Sequence, residues 1–178
     1  MNMNANHAVL SGKVAIVTGA GRGIGRAIAI LFARHGAAVT VATRTARHGQ
    51  EVVDEITAAG GRSLLMSTQL ANQAEIAQIV SATAQAYGPV DIVVHNAAFV
   101  PVARVAEISN EDLDRSFTVN VKAGVWLAQA ALPAMRSRRA GRILFTSSVT
   151  AQRAYRGCAA YSISKAGLNG FIRGAGLG

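Results

Sequence analysis

The chain has 178 residues, 51% of them apolar and 15% charged, which suits one globular domain with a sizeable core and lies outside the disordered range. Eighteen Lys and Arg against nine Asp and Glu give a net charge of +9, but the basic residues are scattered; the one cluster, "RSRRAGR" at 136–142, follows a predicted helix, where cations suit the C-terminus, so no nucleic acid is expected. No apolar run reaches the ~18 to 20 residues that cross a bilayer, and a single cysteine, Cys158, excludes an internal disulfide and leaves no thiolate metal site, so neither membrane nor metal is expected.

Residues 1–10, "MNMNANHAVL", carry neither a basic leader nor an apolar stretch and read as a loose tail on a cytoplasmic chain. Residues 11–178 then alternate short apolar runs with longer amphipathic segments. "KVAIVTG" (13–19) is a predicted buried strand, and "GIGRAIAILFARHG" (23–36) a helix with Gly at its exit. A second strand follows at 37–44, a helix at 46–59, a third strand at 62–68 and a helix at 72–88. "VDIVVHNAA" (90–98) is the fourth strand. Residues 109–136 read as one long helix, opened by Ser109 with Asp112 at capping-box spacing. "GRILFTSS" (141–148) is the fifth strand, and a last helix begins near Ala159. Five alternations without a repeat or linker predict an α/β fold, a doubly wound, Rossmann-like parallel sheet whose ligands bind beyond the carboxyl ends of the strands.

"TGAGRGIG" (18–25) joins the first strand to the first helix. Glycines there permit a tight turn and a close backbone approach to a diphosphate, and the helix start supplies free N–H groups. The spacing is GxxxGxG through Gly19, Gly23 and Gly25, since Arg26 stands where the last glycine of GxGxxG would fall. At the end of the second strand, "ATRTARHG" holds Thr43 and Arg44 and no carboxylate before Glu51. An acid there would favour NAD by bonding the ribose hydroxyls. Arg44 can instead pair with a 2′-phosphate, with Arg22 a second contact, so NADP is favoured over NAD.

Tyr161 and Lys165 are four apart on the last helix and share a face. A free tyrosine ionises near ~10, and an ammonium beside it favours the phenolate, which makes such a pair a plausible general acid and base. Ser147 and Ser148 end the fifth strand, where a hydroxyl can hold a carbonyl oxygen. Asn120 lies inside the long helix, where Asn is a poor helix former. It either holds a water linking Lys165 to solvent or satisfies itself against the backbone.

Taken together, TGxxxGxG, the NNAG-like "HNAA" at 95–98, Asn120, Ser148 and YxxxK occur in one order and spacing that resembles the single-domain short-chain dehydrogenases/reductases, from about Ser11 to the end. The resemblance implies that Tyr161 exchanges the proton and that Lys165 favours its phenolate and binds the nicotinamide ribose. Ser148 would position the carbonyl, and Asn120 would serve the proton relay. Gly19, Gly23 and Gly25 would carry the diphosphate, Thr18, Arg22 and Ile24 of the same loop would also bind the cofactor, and Arg44, Gln69, Asn96 and Ala97 would serve its adenosine side. "YSISKAGLNGFIR" (161–173) is similar to members that reduce 3-oxoacyl thioesters.

His95 and Ala98 replace the outer residues of NNAG, and Gln69 replaces a usual Asp. His95 reads as a hydrogen-bonded strand-end residue. Family members also continue into a sixth strand, a substrate lid and a seventh strand, which this sequence lacks, so the fifth strand is expected at a sheet edge. The resemblance thus implies an NADP-preferring oxidoreductase acting on a small-molecule carbonyl or secondary alcohol, with a homo-oligomer built on the long helices. Two other readings stay open: a unit that binds cofactor or a family partner without turnover, and a lyase or epimerase on the same scaffold, although those relatives usually carry GxxGxxG.

Overall fold

The computed structural model describes residues 8–153 and 155–176. Strands β1 (Val14–Thr18), β2 (Ala38–Thr43), β3 (Arg62–Ser67), β4 (Ile92–His95) and β5 (Arg142–Phe145) alternate with helices α1 (Gly23–Arg34), α2 (Ala46–Ala58), α3 (Gln73–Tyr87), α4 (Asn110–Phe117), α5 (Ala123–Ser137) and α6 (Ala159–Ala175). All strand pairs are parallel, in the order β3-β2-β1-β4-β5. β1 and β2 are buried at every position, as strands covered on both faces must be. Alternate residues of β1 serve the two layers. Val14 and Ile16 pack with Ile76, Ile79 and Leu127 of α3 and α5, while Ala15 and Val17 pack with Ala29, Ile30, Val52 and Ile56 of α1 and α2.

This is the predicted doubly wound α/β arrangement, and its strand order reverses at β1. From β1 the chain runs outward through β2 and β3, then returns to the other side of β1 for β4 and β5. Such a reversal opens a crevice at the carboxyl ends of the two central strands. Thr18 closes β1 and His95 closes β4, so the loops that follow them flank that crevice. β5 forms one sheet edge, with Leu144 47% exposed on it.

Three expectations need revision. β4 and β5 are shorter than the runs at 90–98 and 141–148 because their last residues leave the ladder for the functional loops. The single long helix is interrupted: α4 gives way to a π-turn, Thr118–Lys122, before α5, and Ala123 N–H donates to Thr118 O five residues back. Such wide turns rotate one residue inward; here that residue is the buried Asn120, and hydrophobic period alone cannot reveal a one-residue insertion. Of the stretch read as a tail, residues 1–7 lie outside the described residues. Its end is a turn, with Ser11 N–H donating to Ala8 O and Leu10 N–H to His35 O. Among the described residues no helix is long and apolar enough to cross a membrane.

Candidate active site and cofactor cradle

The loop after β1 is shaped by what its glycines lack. A Cβ on Gly19 would lie 2.8 Å from Ala97 Cα, and one on Gly25 would overlap Gly19 O and lie 2.6 Å from Asn96 Nδ2. The loop and helix start can therefore press against the β4 loop only without side chains. Gly23 meets nothing within 4 Å but has φ +56°, so its contribution is conformational. Arg22 precedes α1 in extended backbone with no side-chain cap, and the first turn of α1 holds no acid. The first N–H groups of α1 and the positive end of its dipole are thus left without a side-chain partner. Ile24 stands 64% exposed on that first turn. A dinucleotide diphosphate fits this cradle, which combines close backbone approach with uncompensated donors.

The β2–α2 corner adjoins the same loop. A Cβ on Gly21 would lie 2.7 Å from Thr43 Oγ1 and 3.0 Å from His48 Cβ, so the segments carrying Arg22 and Arg44 meet at one corner. Both arginines are exposed. α2 also starts without a side-chain cap and without an acid in its first turn. Gln69 is exposed in the β3–α3 loop, and its N–H donates to Glu75 Oε2 at 3.2 Å. The next residue, Leu70, has φ +58° with its side chain 5% exposed; burial and the Glu75 bonds offset a backbone cost of roughly 1–2 kcal/mol.

Asn96 and Ala97 lie under the glycine loop. Thr18 Oγ1 accepts from both of their N–H groups at 3.1 Å. Asn96 Nδ2 donates to Thr18 O at 3.3 Å, and its Oδ1 accepts from Thr146 Oγ1 at 3.2 Å. One side chain thereby ties the ends of β1 and β5 across β4.

Tyr161 and Lys165 occupy the first turns of α6, with Lys165 Nζ 5.8 Å from the Tyr161 ring centroid. Lys165 is 1% exposed and donates to Thr146 O at 2.7 Å. Burial pushes its ammonium down from 10.5 to about 8. Ser148 ends the β5 loop, and its Oγ accepts from Thr150 N–H at 3.2 Å and from the Thr150 hydroxyl at 2.9 Å. With both lone pairs engaged, its own proton is left to donate outward.

Asn120 is fully buried and spends its amide on the protein. Oδ1 accepts from Phe99 N–H at 2.7 Å, while Nδ2 donates to Phe99 O, Ser116 Oγ and Ser164 Oγ at 2.9, 3.1 and 2.9 Å. The side chain is thereby satisfied within the protein, against the Phe99 backbone and two serines. The residue joins the loop after β4 to α6, one position from Lys165. Ser116 Oγ adds a 3.3 Å bond to Ala160 O beside Tyr161.

Sequence reasoning missed Thr146, Thr150, Ser116 and Ser164, which hold these groups in place, and His48 at the β2–α2 corner. Thr146 was legible as a strand-end hydroxyl. The two serines were not, because their partner is an amide turned inward by the π-turn.

A sequence profile described as short chain dehydrogenase matches residues 13–177. The hydroxynaphthalene reductase-like protein Arp2 of Metarhizium majus is 40% identical over 166 residues, covering 92% of this chain and 61% of that protein. An uncharacterized oxidoreductase of Thermotoga maritima is 38% identical over 162 residues, covering 91% and 64%. The chain thus spans about three fifths of the length of these curated relatives. Among solved structures, a metagenomic short-chain oxidoreductase in complex with NADP superposes with a TM-score of 0.89 at 36% identity, covering 93% of this chain and 76% of that one. A 7α-hydroxysteroid dehydrogenase complexed with NADH and 7-oxo glycochenodeoxycholic acid gives 0.92 at 32% identity, covering 98% and 68%.

Proposed function

The chain belongs to the short-chain dehydrogenase family, and from that premise we infer that it is, or forms the larger part of, an NADP-preferring oxidoreductase acting on a carbonyl or secondary alcohol. The observation that carries the reading is the buried Lys165, anchored on Thr146 O at the end of β5, one helical turn from Tyr161. When bound, the nicotinamide supplies or accepts the hydride. Ser148 donates its free proton to the substrate oxygen and fixes its place. Tyr161 gives the proton to that oxygen in reduction, or takes it in oxidation, and the Lys165 ammonium beside the ring favours the phenolate. Asn120 keeps α6 in register with the β4 loop. Arg44, Arg22 and the absence of an acid from the first turn of α2 favour a 2′-phosphate.

Ring ketones are the first substrates to try, given the hydroxynaphthalene reductase-like and hydroxysteroid relatives, with 3-oxoacyl thioesters beside them. The test is carbonyl-dependent oxidation of NADPH by the chain and by Tyr161→Phe. The variant is expected to lose roughly 10²- to 10⁴-fold in turnover, the worth of a positioned acid–base group, while holding NADPH as tightly. Full turnover in the variant would contradict the assigned proton transfer.

A second reading is a unit that binds cofactor, or a family partner through its long helices, without turnover; the uncapped start of α1 supports the cofactor part of it. Tight NADPH binding with no oxidation of it by any carbonyl would select that reading. Self-association through α4 and α5 belongs to either reading and is measured by sedimentation.

A further inference from the structure

His95 is fully buried at the end of β4 and bonded at both ring nitrogens. Nδ1 lies 3.1 Å from Thr18 Oγ1, and Nε2 lies 3.1 Å from Val119 O in the π-turn. A carbonyl can only accept, so Nε2 carries a hydrogen. Thr18 Oγ1 already accepts from the N–H groups of Asn96 and Ala97, which leaves its own proton for Nδ1. Every proton in this chain of bonds is thereby placed: two backbone N–H groups donate to Thr18, Thr18 donates to His95, and His95 donates to Val119. The ring has room because residue 124 is glycine; a Cβ there would stand 2.9 Å from His95 Cδ2.

The arrangement requires a neutral imidazole. A charged ring would aim a second N–H at a Thr18 oxygen that is already saturated. Burial, with the Lys165 ammonium as the charged group acting on the ring, pushes the His95 pKa from 6.5 down to about 4. The ring is therefore uncharged through the physiological range.

We propose that His95, as its neutral Nε2–H tautomer, is a positioning residue that couples the foot of the glycine loop at Thr18 to the π-turn carrying Asn120. The cofactor cradle and the helix behind the catalytic pair are then set by one side chain, and ordering of the loop is transmitted to the π-turn. The proposal rests on the cofactor reading above only for what occupies the loop. Side-chain geometry separates the two links. An Asn amide reaches the place of Nδ1 and a Gln amide that of Nε2, so His95→Asn keeps the Thr18 bond and His95→Gln keeps the Val119 bond.

The test is NMR on the 178-residue chain, with the imidazole nitrogens and backbone amides observed. The free wild-type chain is expected to show an Nε2–H ring that does not titrate between about pH 5 and about pH 8, unlike an ordinary histidine. Amides of the π-turn are expected to exchange roughly fivefold faster in His95→Asn, the effect of one lost neutral hydrogen bond, and less so in His95→Gln. Adding NADPH should slow exchange in both loop and π-turn of the wild type but only in the loop of either variant. An Nδ1–H or charged ring in the folded chain overturns the proposal, as does undiminished transmission to the π-turn in both variants. If the wild type binds neither NADPH nor NADH, the cofactor reading fails, and the tautomer and free-chain exchange still decide the His95 link. If the variants do not fold, the wild type alone decides: an Nε2–H ring with loop and π-turn exchange slowed together by NADPH supports the proposal, and slowing confined to the loop overturns it.

Discussion

The loops after β1 and after β3 leave the same edge of the same sheet, and each leads into a helix, yet they are finished in opposite ways. After β3, the polar groups satisfy one another. Asn72 Oδ1 accepts from Glu75 N–H at 3.0 Å, Asn72 Nδ2 donates to Glu75 Oε1 at 2.9 Å, and Thr68 Oγ1 donates to Glu75 Oε2 at 2.7 Å. α4 is closed in the same manner, with Ser109 Oγ accepting from Asp112 N–H. After β1, no side chain caps α1 and no acid stands in its first turn, and α2 starts likewise. α6, which carries Tyr161 and Lys165, also starts uncapped, at Cys158. An uncapped helix start forgoes about 1 kcal/mol. The starts of α1 and α2 thus leave backbone donors that an anion's oxygens can take, whereas the loop after β3 satisfies its own polar groups and leaves the Gln69 side chain exposed.

The comparison can be broken most severely at Gly25. Gly25→Ala forces a methyl against Gly19 O and Asn96 Nδ2, and is expected to weaken NADPH binding roughly 100-fold by displacing the cradle, with ~1–3 kcal/mol of stability lost to overpacking. Calorimetry and denaturant titration separate the two effects.

Arg44→Asp sharpens the same contrast at the start of α2. NADPH affinity should fall ~10- to 100-fold, the worth of a charge-assisted hydrogen bond, while NADH affinity holds or rises. An unchanged ratio would remove Arg44 from the selection of cofactor.

The pH dependence of the uncapped side follows Lys165. Its folded pKa, about 8, lies below the ordinary 10.5, so between those values the unfolded chain binds more protons than the folded one, and folding stability rises with pH across that window. Cofactor binding should move the other way. Above about pH 8 the ammonium is lost, and NADPH affinity is expected to decline several-fold by titrations at successive pH values.

The smallest effect belongs to the closed loop. Asn72→Ala should cost about 1 kcal/mol in thermal unfolding and leave NADPH affinity unchanged. Glu75, held below its ordinary 4.5 chiefly by the Thr68 hydroxyl, contributes stability that is present above 4.5 and lost as pH falls below it. Glu75→Gln should flatten that acid limb.

Much of this layout was legible in the sequence. The alternation of strand and helix follows from apolar period, which short buried strands such as β1 and β2 state directly. The cradle was legible because glycine at 19 and 25 is required by backbone contact, and backbone contact leaves a fixed spacing. The break at Asn120 was not, since the segments on either side both keep helical period and no Gly or Pro marks the junction at Thr118–Lys122. His95 was legible as a hydrogen-bonded strand-end residue, but its partners were not, because Thr18 and Val119 are brought together only by the pairing of β4 with β1 and the packing of the π-turn behind them.

The most direct measurement is titration of the purified chain with NADPH and with NADH, read by energy transfer from Trp126 and the tyrosines to the bound nicotinamide. NADPH is expected to bind at least ~10-fold more tightly, in keeping with one charge-assisted contact at Arg44. A folded, soluble chain that binds neither, or that prefers NADH, would contradict the cofactor cradle drawn from these two uncapped helix starts.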